Sequence, residues 1–298
     1  WGSMMFTAGL AADILFYSLC EWILYVREPY VQSLGNKEEW ATVYTLFHWG
    51  PIPWGFYLVL AVAFGFMLHV RKRSKQRYSE ACRPILKGQT DGLLGRGIDL
   101  LAVFALLAGT ATTFSVATPL MAEILKKVLP GVSTVSLTIA ILLITCAVYT
   151  YSLLKGMAGI SFLAKTCTWL FYSLLFYIFF FGGAGNFILK HGFSAFGKMV
   201  EHFPTMATYT DPLGENHFPE NWTIFYWAYW MVWCVASPFF IGSISRGRTI
   251  RQTILGGYLF GVGSTFVSFL VLGNYSLSLE IFGKLPVLSI YEKTGSLY

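Results

Sequence analysis

Seven stretches of this chain stay apolar for about as long as a helix needs to cross a bilayer, roughly 20 residues. They lie near residues 3–25, 49–70, 97–122, 134–154, 159–182, 222–245 and 253–275. In lipid such a segment has to satisfy its own backbone hydrogen bonds, and a helix does so. Barrel strands would alternate apolar with polar residues, and these runs do not, so a β-barrel is excluded. Charged residues are 12% of the chain, about half the share of a soluble domain. The expected fold class is therefore an all-α polytopic membrane protein with seven transmembrane helices.

The net charge of +6 reads as orientation, and no nucleic-acid partner is expected. The loop Arg71–Arg96 gathers Arg71, Lys72, Arg73, Lys75, Arg77, Arg83, Lys87 and Arg96 against Glu80 and Asp91. Lys155 and then Arg246, Arg248 and Arg251 follow in the next turns on that side, and the opposite loops are richer in carboxylates. The positive-inside rule puts the basic loops, and the start of the first span, in the cytoplasm. Five cysteines, four of them inside apolar runs, imply no disulfide framework. No phosphate loop, zinc motif, paired CxxC or nucleophile elbow is present, and the five histidines lack metal-ligand spacing. No enzyme, no resident metal and no cofactor is expected; sodium enters only as a coupling ion.

The stretch Asn221–Arg251 is the most specific in the chain. At 100° per residue Trp222, Tyr226, Tyr229, Trp233 and Ser237 share one face, with Trp230 at its edge. Rings can hold a cation without a counter-charge; the alternatives are a packing stripe or an interfacial belt. Asp13, about three turns into the first span, is costly in lipid and calls for a partner or a task. The other reading is a protonated side chain at a helix contact. Glu21 reads as solvated near the outer interface, and His48, Trp49 and Trp54 read as interfacial. Lys165 in the fifth span either snorkels to the headgroups or faces a water-filled cavity. Ala108, Gly109, Ala111, Thr112, Thr113 and Ser115 form a small-residue face. Residues 187–209 read as an amphipathic helix lying on the membrane.

The segment Trp222-Thr223-Ile224-Phe225-Tyr226-Trp227-Ala228-Tyr229-Trp230, then Trp233, then Ile244 to Arg251, resembles the signature of the betaine/choline/carnitine transporter family. Tyr229 stands where the family has a tryptophan. FHWGP at Phe47–Pro51, the MMFTAG opening and TYTDP at Thr208–Pro212 extend the resemblance over essentially the whole chain, and look most like the carnitine/γ-butyrobetaine antiporter branch. The resemblance implies a fold of two inverted five-helix repeats. Residues 1–182 would be the first repeat. Residues 183–298 would be a surface helix and the first two helices of the second. It also implies a plasma-membrane (bacterial inner-membrane) protein and a homotrimer. The chain would then be a fragment of a longer one.

Carried over by that resemblance, the substrate cage maps to Tyr229, Trp230 and Trp233, with Trp222 in an outer position and Trp49 on the substrate path. Asp13 pulls toward substrates lacking a carboxylate, and the FHWGP motif pulls the other way. Lys165 lies beside the position where sodium-independent members carry an arginine, and by that resemblance it is expected to serve coupling by replacing sodium. The implied function is secondary transport of a quaternary-ammonium compound (carnitine, γ-butyrobetaine, glycine betaine or choline) by alternating access. Three rings at ~2 kcal/mol each give ~6 kcal/mol before desolvation, hence micromolar to millimolar binding. The rivals are a seven-helix receptor or photoprotein, and a structural or channel-type membrane subunit.

Overall fold

The computed structural model describes residues 1–9, 12–73 and 75–297, and the side chains at 12, 13 and 116 lie outside that description. Among the described residues there are only helices and loops. The first expected span is carried by α1 (Gly2–Gly9) and α2 (Ala12–Arg27). Helices α3 (Pro29–Ser33) and α4 (Lys37–His48) lead into α5 (Pro51–Gly65), which a π-helical turn extends over Phe66–Val70. The basic loop folds into two short helices, α6 (Tyr78–Ala81) and α7 (Arg83–Leu86). Then come α8 (Leu93–Val128), α9 (Thr134–Leu154), α10 (Gly156–Phe181) and α11 (Gly185–Thr208). The aromatic stretch forms a π-helical turn over Pro219–Ile224, then α12 (Phe225–Trp233) and α13 (Ser237–Ile244). A rod follows, built from α14 (Ile250–Gly256), α15 (Gly263–Ser268) and α16 (Asn274–Ile281) with π-helical turns between them; α17 (Val287–Thr294) closes the described chain.

Among the described residues, five rods are long and apolar enough to cross a membrane: Lys37–Val70, Leu93–Val128, Thr134–Leu154, Gly156–Phe181 and Ile250–Ile281. A sixth is the pair Pro219–Trp233 and Ser237–Ile244, bent by 52°. Five of the seven expected spans thus recur as rods and the sixth is bent, while the first is described as helix over Gly2–Gly9 and Ala12–Arg27.

The bend in the aromatic span has an identifiable cause. Pro238 has no N–H to give to the carbonyl of Cys234 four residues back, so the helix cannot run through. The Tyr78 hydroxyl donates to that freed carbonyl and ties the bend to α6. Other helix starts follow ordinary capping. Asn36 and Ser133 accept from the backbone N–H groups of Glu39 and Ser136, opening α4 and α9. Thr249 and Gln252 form a reciprocal capping box at the start of α14, at 3.1 and 3.0 Å.

Long helices α8, α9 and α10 are exposed over most of their length, whereas the buried core gathers around α2, α4, α5, α12 and the turn at Phe269. α13 lies along α5, and His69 hydrogen-bonds the Gly242 carbonyl at 2.9 Å where they end. α11 occupies the predicted amphipathic segment. Its Ile188 and Met199 are spent on the protein, against α4 and α16, while Phe193 and Val200 remain exposed. The basic loop is pinned by its own carboxylates. Arg83 takes Glu80 with two hydrogen bonds of 2.7 Å and Asp91 at 2.9 Å, and Asp91 also holds Lys75 and Arg77. These guanidinium hydrogen bonds, Arg83's first, hold both carboxyls below their usual range.

Candidate substrate site

A carboxyl group that the sequence leads one to expect in solvent lies inside the core. Glu21 is fully buried. It lies on α2 one turn from Tyr17 and one turn from Tyr25, so three side chains of one helical face point the same way. The indole of Trp49 donates to Glu21 Oε2 at 2.5 Å. The hydroxyls of Tyr226 and Tyr25 approach the same carboxyl group. Oε1 has no hydrogen-bond partner. A buried carboxylate oxygen without a donor is expensive, and such a group calls for a specific role.

Around this carboxyl the rings close in from three elements. Trp49 lies 5.6 Å from both Tyr226 and Trp230, 5.4 Å from Phe269 and 5.9 Å from Tyr17. Trp222 lies over Tyr25 at 4.5 Å. His48 is fully buried and stacks on Tyr226 at 5.2 Å and 10°. Its Nδ1 meets the Tyr25 hydroxyl at 2.5 Å and its Nε2 the Thr223 hydroxyl at 2.9 Å, which fixes α2, α4 and the Pro219–Ile224 turn to one another. Trp230 is wedged among Trp49, Trp54 and Tyr57 at 5.6, 5.9 and 5.1 Å. Trp54 in turn donates to Thr265 and lies flat against Gly261, where any Cβ would run into its ring. The interfacial reading of His48, Trp49 and Trp54 is therefore corrected: all three are buried in this cluster.

The predicted site residues separate into groups. Trp49 bonds Glu21 and meets the Trp230 ring, while Trp222 joins the same cluster through Tyr25 and Tyr226. Trp233 faces α8, where a Cβ on Gly109 would sit 3.1 Å from its ring, so this glycine of the small-residue face makes room for the indole. Tyr229 is half-buried beside it and stacks on Phe225 at 6.4 Å. On α12, Tyr226, Tyr229, Trp230 and Trp233 still share one stripe, as i, i+3, i+4 and i+7 must. The indole nitrogens of Trp222, Trp227, Trp230 and Trp233 are all buried without an acceptor. Asp13 begins α2, but its side chain lies outside the described residues. Lys165 is exposed while Ala164 beside it is buried, so the structure does not bring Lys165 to the rings.

Asp211, His217 and Glu220 also lie close enough for their ligand atoms to share an ion. Asp211 already accepts backbone N–H groups from Glu215, Asn216 and His217 at 2.8–3.2 Å, so its carboxyl is occupied in shaping the loop.

An aromatic box with a buried carboxyl, inside a bundle of membrane-length helices, is a chemistry for methylated cations. The sequence matches the family profile described as BCCT, betaine/carnitine/choline family transporter, over residues 1–297. The chain belongs to the BCCT family. Membership makes this BCCT chain a multi-pass membrane protein of secondary transport for quaternary-ammonium compounds, and a transporter rather than an enzyme. The receptor and structural-subunit alternatives are not favoured. In this BCCT chain, the buried cluster also contains Glu21, Tyr25, His48 and Tyr226, which the sequence does not mark as candidate site residues. Tyr226 had been placed on the aromatic face but not in the site. Glu21 had one usable signal, its position between two tyrosines at helical spacing.

Proposed function

We propose that the box formed by Trp49, Tyr226, Trp230 and Trp222 around Glu21 binds the methylated nitrogen of a quaternary-ammonium zwitterion. Carnitine, γ-butyrobetaine and glycine betaine fit better than choline. The observation that carries this reading is the pairing of unmet needs. Glu21 Oε1 is a buried acceptor without a donor, and the indole nitrogens of Trp222, Trp230 and Trp233 are buried donors without an acceptor. A trimethylammonium group donates no hydrogen bond, yet it is attracted to ring faces and to a carboxylate. The ligand's own carboxylate would accept from the indoles. Tyr229 and Trp233 then line the continuation of the site toward Gly109.

The carrier is proposed to work by alternating access, with the broken aromatic span and the α1–α2 pair as inverted-repeat counterparts and seven crossings in all. The bend between α12 and α13 supports this, since a broken helix at a binding site is how transporters of this kind place backbone groups at mid-membrane. The first span is proposed to start in the cytoplasm and the assembly to be a homotrimer. Coupling is proposed to be substrate exchange without sodium, with Lys165 reaching headgroups rather than the site.

The test is tryptophan-fluorescence titration of the purified protein with carnitine, γ-butyrobetaine, glycine betaine and choline. Saturable quenching by the zwitterions, weakened at least tenfold in Trp230→Leu, supports the site. Saturable binding that Trp230→Leu leaves untouched removes it. Uptake by the full-length protein that tracks external sodium overturns the exchange reading.

A further inference from the structure

One face of α5 is only partly covered: Ile52 and Phe56 lean on the core, while Val59, Phe66 and Val70 are exposed. Ile52, Gly55, Phe56, Val59, Val62, Phe66 and Val70 recur at helical spacing, and Val59 is 72% exposed. Between this face, Met231, Ile254 and Tyr258 runs an apolar groove of about 840 Å³. A second hollow of about 320 Å³, at the end of the helix, shares the lining residues Val59 and Val62 with it. The second hollow has Phe66 and Met67 on its walls and Arg71, Arg73 and Arg83 at its rim, against the single carboxylate of Glu80.

The three arginines are not equally neutralised. Arg83 takes Glu80 bidentately. Arg73 reaches Glu80 only at 3.7 Å and stays half-exposed. Arg71 lies over the Phe66 ring at 5.6 Å and has no carboxylate partner among the described residues. Two guanidinium groups with free donors therefore stand where an apolar groove ends, directly past the last turn of a membrane-length helix.

We infer that this groove holds an anionic phospholipid, one acyl chain lying along α5 and the phosphate between Arg71 and Arg73. The phosphodiester accepts in the fork geometry that a guanidinium offers and a lysine does not. The walls are apolar at the depth of the acyl chains, and charge appears only at the mouth. A free phosphate would use the rim and leave the groove empty. A second copy of the chain would have to bring carboxylates to the rim and cover Val59. The inference does not depend on the proposed substrate.

Native mass spectrometry after exchange from mixed phosphatidylglycerol and phosphatidylcholine membranes into detergent tests it. Wild type is expected to retain phosphatidylglycerol and to lose phosphatidylcholine. The Arg71→Gln/Arg73→Gln variant should hold phosphatidylglycerol roughly 30-fold more weakly. Val59→Trp, which fills the groove and leaves the arginines in place, should also release it. Equal retention of both lipids, full retention by the double variant, or displacement by inorganic phosphate alone would overturn the inference. So would a stable oligomer in neutral lipid that shields Val59 from labelling.

Discussion

Replacing Glu21 by Gln changes charge while keeping shape, because a glutamine oxygen can still accept from the Trp49 indole that now bonds Glu21 Oε2. An ionised carboxylate about 5 Å from a methylated nitrogen attracts it by ~3 kcal/mol at an effective dielectric near 20. That is roughly 200-fold in affinity. A zwitterion's own carboxylate, about 8 Å from Glu21, is repelled by ~2 kcal/mol under the same conditions, leaving a net of ~1 kcal/mol. Glu21→Gln should therefore weaken choline about 100-fold and weaken carnitine or glycine betaine only about fivefold to tenfold. Isothermal titration of wild type and variant with choline and glycine betaine measures both, and thermal unfolding checks that the variant is folded. A folded variant with unchanged choline affinity, or one that loses more affinity for the zwitterion than for choline, would refute the reasoning.

The remaining predictions follow from particular contacts. Trp233→Leu removes the unpartnered indole N–H beside Gly109 and should weaken zwitterion binding about tenfold, the ~1.5 kcal/mol of one hydrogen bond to a charged group, while leaving choline within about twofold, read by the same titration. Lys165→Ala, at an exposed position, should leave affinity within about twofold and leave exchange transport in liposomes unchanged, as expected for a surface substitution. Thr249→Ala breaks the capping box of α14 and should cost ~1 kcal/mol, seen as a drop of about 2 °C in thermal midpoint. Glu80 has a lowered folded pKa because Arg83 hydrogen-bonds its carboxylate. Its contribution is present above the unfolded value, about 4.3, and is lost as pH falls through the folded one. The hydrogen-exchange protection factors of residues 79–86, with the intrinsic pH dependence of exchange divided out, should fall below about pH 4 and be unchanged from pH 6 to 8.

The length and greasiness of the spans were legible because lipid leaves a helix few alternatives, and 134–154 falls on α9 to the residue. The break at Cys234–Ala236 was legible in principle from Pro238, but a long aromatic run invites an unbroken helix and hides it. The second span was legible from its prolines, since Pro51 opens α5 at a first helical position. Less legible was α4 before it: Asn36 caps a helix that begins at Lys37, and its polar first turn conceals residues that the fold buries. Tryptophans at a helix end resemble a membrane belt in any sequence. Only the packing of α2 against α4 shows that His48 and Trp49 face inward. Glu21 was the largest loss, because a carboxylate near a span's end reads as solvated unless its neighbours across the bundle are known. What resemblance did supply, Trp49, Trp222 and Trp230, lies in the box; Tyr229 and Trp233 sit along the same stripe toward α8.

A structure determined with glycine betaine or carnitine bound tests the central claim most directly. The account predicts the methylated nitrogen within about 6 Å of the ring centroids of Trp49, Tyr226 and Trp230, the range of a cation–ring contact, with Glu21 facing it. A ligand held elsewhere in the bundle, with these three rings still packed on one another as they are now, would contradict it.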